Sequence, residues 1–393
     1  MNALPAALPS NRDENWKYAN LRALGRASFE PSVAPDDTRL AQVAAKLPAR
    51  LPNVPRLVLV DGHAVPSLCD TLSSVRFDES PCNPSAAGVD HFFANLNAQR
   101  RRTTCRVHLR AHEIGAIEII CVASGVSHPA IALRLDEGAR LSLIERHLPL
   151  DGNATTLSNL HLEADIGAHA ELMAARIGLH GAKAQYLETV ELRLAAAATV
   201  QWVQLATGAA ASRSTAFVEH AGRDAMLEWH SATIGDGTQC HDAYVRVNHA
   251  APGSRTLQQF RGLASGRAKI AFNGHMRVDA AAPGSQSDQS LKSLLSGTEA
   301  EANARPQLEI YTDAVKASHG ATVGKLDPDM LFYLLSRGIP PAAAESLLKW
   351  AFVSDVLMHI SSPELRAQVE TALEQQLPGA AAARLADPAS MPS

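Results

Sequence analysis

Turn-forming residue pairs recur about every 30 residues through the middle of this chain, at Gly138-Ala139, Gly167-Ala168, Ala196-Ala197, Ala221-Gly222, Pro252-Gly253 and Pro283-Gly284. Each pair is followed by a run such as Arg140–Ile144, in which apolar and polar residues alternate as in a half-buried strand. A strand-based repeat of this length predicts a stacked β-array, because one unit cannot bury its apolar face alone. A β-sandwich is the alternative, but its turns recur about every 8–12 residues.

The flanking segments have a different pattern. Before the repeats, helical spacing covers residues 12–27 and 38–47, and Leu57–Val60 reads as a strand. After the repeats, three helices are predicted to begin near Asp327, Pro341 and Ser362. We therefore predict a mainly β protein with a right-handed parallel β-helix, or solenoid, as its core. The predicted divisions are an N-terminal α/β cap (1–103), the β-helix core (104–325), a C-terminal α-helical domain (326–377) and a mobile tail (378–393).

Composition limits the classes of function. The 393 residues are 46% hydrophobic and 19% charged, which is enough apolar material for a sizeable core. The net charge is −4 with no basic stripe, so nucleic acid is not an expected partner. We find neither a run of about 18 apolar residues nor a secretory leader pattern, and we expect a cytoplasmic protein without membrane contact.

The five cysteines, Cys69, Cys82, Cys105, Cys121 and Cys240, are scattered along the chain. None forms a CxxC pair, so a disulfide framework, a zinc ribbon or a ferredoxin-type cluster site is not indicated. We expect most of these thiols to be buried and inert.

Two stretches near the end of the predicted array carry a family resemblance. Residues 247–278 read VNHAAPGSRTLQQFRGLASGRAKIAFNGHMRV, and residues 305–339 read RPQLEIYTDAVKASHGATVGKLDPDMLFYLLSRGI. Together they resemble the SufB/SufD family of the SUF iron–sulfur cluster assembly scaffold, and the SHGATVG form is similar to its SufD branch. Further matches are Asn15–Tyr18, His91–Asn97 and His128-Pro129, so the resemblance covers nearly the whole chain.

The resemblance implies a non-catalytic scaffold subunit that supports iron delivery and nascent cluster formation. Its implied partners are SufB, paired through the end of the β-helix, and the ABC-type ATPase SufC, docked on the C-terminal helices. No GxxxxGK[ST] P-loop occurs here, as expected if the ATPase activity belongs to SufC. We expect no cofactor in the isolated chain, and a transient iron–sulfur cluster and reduced flavin only in the assembled complex. A homodimer is a further expectation for the chain on its own.

His319 is the leading candidate for binding iron or a cluster precursor. We predict that it lies in a loop after a last strand at Gln307–Tyr311, where imidazole is a suitable iron ligand. Glu309 and Asp313 are transient metal candidates, predicted to share a strand face with Tyr311. The alternatives are a turn histidine and a solvated strand face. The sequence departs from the family pattern at Ala317, where a cysteine is common, and at Ala314, where a second aspartate is usual.

The resemblance also implies two contact surfaces. The interface with SufB, or with a second copy, is predicted to comprise Leu308, Ile310, Tyr311, Ser318, His319 and Gly320. The SufC dock is predicted to comprise Phe332, Leu347, Leu348, Phe352 and Val356.

Two other functions are alternatives to the scaffold function. A SufB-like subunit would carry the cluster itself, but Ala317 removes the expected thiolate. A β-helix enzyme is less consistent with the sequence, since a polysaccharide lyase is normally secreted and a hexapeptide acyltransferase needs a six-residue repeat.

Overall fold

The computed structural model describes residues 8–29, 34–78, 88–374 and 377. The protein is mainly β and forms a parallel β-solenoid of about eight turns, with helices near its termini. The strands are β1 Arg56–Val60, β2 His63–Ala64, β3 Val75–Asp78, β4 Thr104–Leu109, β5 Ile114–Ala123, β6 Val126–Ser127, β7 Ala130–Leu135, β8 Arg140–Pro149, β9 Leu157–Ile166, β10 Glu171–Leu179, β11 Gln185–Leu194, β12 Thr199–Thr207, β13 Ala211–His220, β14 Met226–Gly235, β15 Cys240–His249, β16 Arg255–Ser265, β17 Lys269–Val278, β18 Ser285–Ser296, β19 Glu301–Ile310 and β20 Val315–Lys325.

Consecutive strands of the repeat region alternate between two sheets. The first sheet has the order β2-β1-β5-β8-β10-β12-β14-β16-β18-β20, and the second has the order β19-β17-β15-β13-β11-β9-β7-β4-β3, with β6 paired to β9. Pairing is parallel except at one edge of each sheet, where β1–β2 in the first sheet and β3–β4 in the second are antiparallel. One strand from each sheet makes a coil of about 30 residues, which confirms the predicted β-solenoid.

The predicted corners lie at the turns that lead into strands of the first sheet. Gly138, Gly253 and Gly284 have positive φ, where glycine has no steric cost. At Gly222 the reason is space, because an added Cβ would lie 2.0 Å from the backbone nitrogen of Ala196 in the previous coil. The period in the sequence therefore reflects a backbone that must turn, or approach the coil below, once per repeat.

The interior of the solenoid is filled from both sheets by columns of residues in register. The first coils contribute branched aliphatic side chains, and Trp202 and Trp229 stack with ring centroids 5.0 Å apart. Polar side chains also point inward. Arg176 is 2% exposed and bonds to Glu145 and Glu188, which are equally buried.

The α-helices are α1 Leu21–Arg26, α2 Asp37–Lys46, α3 Phe92–Arg100, α4 Pro328–Ser336, α5 Pro341–Leu357 and α6 Pro363–Glu374. The predicted helix over 12–27 is wrong as one element, because a 3-10 turn at Glu14–Trp16 precedes α1. The three C-terminal helices are confirmed, and Asp327 caps α4 by accepting from the N–H of Asp329 at 2.9 Å. No helix of the described residues is long and apolar enough to cross a membrane.

The helices cover the outer faces of the solenoid. The buried residues Val353, Val356 and Leu357 of α5 pack against first-sheet residues such as Val203 and Leu263. Near the N-terminus, Trp16 packs with α3 on the outside of the second sheet, in one cluster with Leu157 and Leu187. Strand β1, from the predicted cap, pairs with β5 and extends the first sheet. The domain divisions stay predictions, and the tail over 378–393 lies outside the described residues.

The end of the chain's β-region differs from the sequence prediction. The last strand is β20, not Gln307–Tyr311, and His319 lies within it rather than in a loop. Its apolar residues, Val315, Ala317, Ala321 and Val323, do alternate, but two of the four are alanines and glycines lie between them, so the pattern is a weak strand signal. The segment is extended because β18 offers a free row of backbone donors and acceptors, and β20 pairs with it along its whole length.

Candidate functional site at the open end of the solenoid

The last coil of the solenoid is uncovered. Strands β19 and β20 each pair with one neighbour only, and none of their residues is buried. Ile310, Tyr311 and Val323 are 40%, 56% and 44% exposed. Strands in the middle of the array bury most of their inward residues instead. An edge of this kind presents unpaired backbone groups and partly apolar side chains to a partner.

His319 occupies the inward-facing row of β20. Ser318 points outward, because its hydroxyl bonds to the exposed carboxylate of Asp288, and neighbouring side chains on a strand alternate. In register, His319 lies over Gln289, which lies over Gln258 and then Trp229. Its imidazole is nevertheless exposed, since no further coil lies above it. The side chain therefore stands at the mouth of the solenoid interior.

The other predicted interface residues surround this mouth. Leu308 is half-buried against the core, whereas Ile310 and Tyr311 are exposed at the end of β19. The guanidinium of Arg277 lies 5.0 Å from the centroid of the Tyr311 ring. An added Cβ at Gly320 would meet nothing within 4 Å, so this position is open.

Glu309 and Asp313 are not arranged with His319 as a metal site. Glu309 belongs to the second sheet, and its carboxylate lies 3.2 Å from Nε2 of His275. Burial lowers the pKa of His275, and the Glu309 carboxylate opposes that effect. Asp313 follows the end of β19, so the prediction that it shares a strand face with Tyr311 is wrong. No group of three or more His, Cys, Asp or Glu side chains among the described residues could hold a metal ion.

The residues predicted to dock the ATPase divide into two groups. Phe332 is 72% exposed on α4, beside the exposed Met330 and Tyr333. Val356 is fully buried and Phe352 is half-buried, both on the side of α5 that packs on the solenoid. The guanidinium of Arg261 lies 6.0 Å from the Phe352 ring. Leu347 and Leu348 are half-buried. Only Phe332 of the five therefore presents a mostly free side chain.

Polar contacts fix the C-terminal helices to the solenoid. Asp355 of α5 accepts from Arg261 at 2.7 Å and from Gln259 at 2.6 Å. The rings of His230 and His359 stack with centroids 3.6 Å apart. Burial lowers the pKa of His359, and His230 adds to the effect. These contacts fix α5 and the segment after it on the solenoid, and α4 lies next to α5.

The four described cysteines are not grouped as a cluster site. Cys105, Cys121 and Cys240 are buried free thiols, Cys69 is half-buried, and Cys82 lies outside the described residues. Burial raises the pKa of Cys105 to about 12 and that of Cys240 to about 11. These thiols stay protonated near neutral pH, so they are poor metal ligands.

Reasoning from the sequence missed the buried acid–base network inside the coils. Arg176 donates to Glu145 at 2.7 Å and to Glu188 at 2.8 Å, and Gln204 donates to Glu188 at 2.5 Å. Burial alone would raise the pKa of Glu145, but Arg176 and His147 outweigh it and hold that pKa below its ordinary value. The sequence signal that could have revealed this network is the presence of charged residues at positions of the strands that the alternation predicts to face inward.

A long concave surface on the outer face of the second sheet is the other candidate site. It is lined by arginines and carboxylates that pair with each other, as Arg106 does with Asp78 at 2.6 Å and Arg193 with Glu219 at 3.5 Å. This internal pairing gives the surface no charge of one sign for a ligand. The open end therefore remains the stronger candidate.

Comparison with known proteins agrees with this geometry. The family model described as "SUF system FeS cluster assembly, SufBD core domain" matches residues 119–352. The chain is 28% identical to the iron–sulfur cluster assembly protein SufD of Escherichia coli, over 96% of this chain and 91% of that protein. It is 25% identical to a SufBD family protein of Synechocystis over 92% and 86%, respectively. The matched region contains most of the coils and the whole of β20, and the chain belongs to the SufBD family of iron–sulfur cluster assembly proteins, as a member of the SufD type.

Proposed function

We propose that this chain is a non-catalytic scaffold subunit of the SUF complex. In this proposal it pairs with SufB through its open end, docks the SufC ATPase on its C-terminal helices, and supports iron delivery and formation of a nascent cluster. The cluster is a transient substrate held by the assembled complex, and reduced flavin is likewise bound only there. A cytoplasmic location is part of the same proposal.

The uncovered last coil is the observation that carries the proposal. Its two strands have no neighbour on one side, and Ile310, Tyr311 and Val323 expose apolar surface beside them. Such an end is prone to indiscriminate strand pairing unless a specific partner covers it. Another solenoid with a similar open end is a well-matched partner, because it offers both backbone groups and a matching coil.

The position of His319 supports a role in handling iron at that interface. Imidazole is a good ligand for iron, and the imidazole of His319 stands at the centre of the surface that SufB would cover. His319 belongs to no group of three or more His, Cys, Asp or Glu side chains among the described residues that could hold a metal ion. The remaining ligands would come from the partner, which agrees with transient binding in the complex only.

The exposed apolar face of α4 supports the SufC dock. Met330, Phe332 and Tyr333 are 58%, 72% and 57% exposed within one short helix. A cluster of large apolar side chains on an anchored helix is typical of a protein interface. We therefore propose α4 as the main contact, with α5 serving chiefly to anchor it.

Pairing is tested with matched aspartate substitutions and a pull-down on SufB. Ile310→Asp should weaken the SufB complex by tenfold or more, because it places a charge in the covered surface. Leu257→Asp is the control, since Leu257 is also 40% exposed but lies on the outer face of a strand within the array. Equal SufB binding by the two variants would contradict pairing through the open end.

The role of His319 is tested by His319→Ala in the complex with SufB and SufC. Folding and assembly should be preserved, because an exposed side chain buries little apolar area. Cluster formation should fall sharply, since alanine has no lone pair to offer. Normal cluster formation by this variant would show that His319 is not a ligand in the reaction.

A SufB-like subunit that itself carries the cluster is less well supported. The described cysteines are buried or half-buried, and Ala317 occupies the position beside the mouth where a thiolate would stand.

A further inference from the structure

Two glutamines form an amide ladder directly beneath His319. Gln258 of β16 and Gln289 of β18 occupy the same inward column, and both are essentially fully buried. The Nε2 of Gln289 donates to the Oε1 of Gln258 at 3.0 Å. Stacked amides of this kind are known to bond along the direction in which strands are added.

The ladder has a direction. A primary amide carries its donors and its acceptor on opposite sides of the amide carbon. Since Nε2 of Gln289 makes the bond to Gln258, its Oε1 diverges from that bond, and the residue in register with Gln289 on the next coil is His319. This Oε1 is buried and accepts no hydrogen bond from the described residues. A buried acceptor without a donor is costly, so the position calls for one.

An independent observation comes from the opposite sheet. Gly274 of β17 faces the ladder, and an added Cβ there would lie 2.6 Å from Oε1 of Gln258 and 2.9 Å from Nε2 of Gln289. Its φ is not in the left-handed region, so backbone conformation does not require glycine. The lack of a side chain at Gly274 therefore leaves room for the amide pair.

Imidazole is suited to complete this ladder. In its neutral form one ring nitrogen donates a hydrogen bond and the other has a free lone pair. A metal-binding histidine usually donates its second ring N–H to a fixed acceptor, which sets its tautomer and orientation. An orphaned, buried amide oxygen beneath the ring is an acceptor of that kind.

We propose that Gln289 is a positioning residue for His319. Its Oε1 accepts the hydrogen bond from one ring N–H of His319, and the lone pair of the other ring nitrogen is thereby directed out of the open end. Gln258 and Gly274 fix the amide that does this. The inference deepens the proposed function, because it assigns the group that orients the candidate iron ligand.

The tautomer of His319 tests the proposal in the isolated full-length chain. With ¹⁵N-labelled histidine, NMR at about pH 8 distinguishes the protonated ring nitrogen from the unprotonated one. We expect one tautomer in the parent protein and in the control Gln286→Met, whose residue is on the same strand but faces outward. Gln289→Met keeps the length of the side chain and removes the acceptor, so it should give a mixture of tautomers.

Gly274→Ala is the second variant, in case Gln289→Met does not fold. It lies in the other sheet, and the added methyl should displace the ladder and mix the tautomers in the same way. An unchanged tautomer ratio at His319 in whichever of these variants folds would overturn the proposal.

Cluster formation in the complex with SufB and SufC separates this inference from the proposed function. Loss of a group that orients a metal-binding histidine typically costs about 10–100-fold, and we expect a decrease of that size for Gln289→Met but not for Gln286→Met. If His319→Ala abolishes cluster formation while Gln289→Met has no effect on it, the proposed function stands and the positioning role is wrong. If His319→Ala has no effect, the ligand role fails, and the tautomer comparison alone decides whether Gln289 holds the ring.

Discussion

Replacing Arg176 should lower the free energy of unfolding more than substitutions on the surface of the solenoid do. Its side chain is 2% exposed and donates to two carboxylates, Glu145 and Glu188, which are 1% and 0% exposed. It also lies 4.8 Å from the Trp202 ring. In Arg176→Met the length of the side chain is roughly kept, but both carboxylates lose the guanidinium that neutralises them and is always charged.

The magnitude follows from the cost of an uncompensated buried charge. Breaking a buried ion pair from one side typically costs about 3–5 kcal/mol. Glu188 keeps bonds from Tyr186 and Gln204, and Glu145 keeps His147, so we expect a loss near the lower end, about 3 kcal/mol. Arg193→Met is the control, because Arg193 is 63% exposed and its ion pair should contribute less than about 0.5 kcal/mol.

Urea unfolding followed by far-UV circular dichroism and tryptophan fluorescence measures the loss, and its pH dependence identifies the cause. Without Arg176 the pKa of Glu145 should rise above its ordinary value, so the folded variant gains stability as the pH falls and the carboxyl is protonated. The difference from the parent protein should therefore be smaller at pH 5 than at pH 8. A loss below about 1 kcal/mol, or one that does not change with pH, would refute the role of buried charge.

Three further predictions follow from other parts of the molecule. Gly222→Ala should cost more than about 2 kcal/mol in urea unfolding, because the new Cβ would lie 2.0 Å from a backbone nitrogen, whereas Gly152→Ala, with nothing within 4 Å, should be near neutral. Burial lowers the pKa of His249 to about 4, so protonation of this side chain opposes folding. The free energy of unfolding should therefore fall by about 3 kcal/mol for this group as the pH falls from about 6.5 to 4. His249→Asn should make the free energy of unfolding less dependent on pH over that range. Phe332→Asp should weaken SufC binding in a pull-down without lowering stability, whereas Val356→Asp should lower the free energy of unfolding. Normal SufC binding by Phe332→Asp, or unchanged stability of Val356→Asp, would contradict the roles proposed for α4 and α5.

Purification gives a separate check on the cofactors. We expect the isolated chain to be colourless and to contain neither iron nor sulfide. The described thiols are buried or half-buried, and no group of three or more His, Cys, Asp or Glu among the described residues could hold a metal ion. Elemental analysis and a visible absorption spectrum measure this. Stoichiometric iron in the chain alone would contradict the proposal that the cluster is bound only in the complex.

The sequence by itself determined the architecture. The corners at Gly138 and Gly284 recur because each coil must turn once, and alternation after each corner shows which residues face inward. The start of α4 was also predictable, since Asp327 and Pro328 are a cap and a first helical residue. These features are local, and each depends on a few neighbouring residues.

Only the tertiary structure decided which polar groups meet inside the coils. Gln258 and Gln289 are about 30 residues apart in the chain, and nothing local shows that their amides bond. The strand that contains His319 has only a weak alternation of Val and Ala, and it forms because β18 is there to pair with it. Likewise, the apolar face of α5 predicts that the helix packs against something but does not identify the surface. In the structure Val356 of α5 is buried against the solenoid, and Phe332 of α4 is exposed. The physical reason is that stacking brings residues of different coils together, and a sequence pattern specifies the face of a residue but not its neighbour in the next coil.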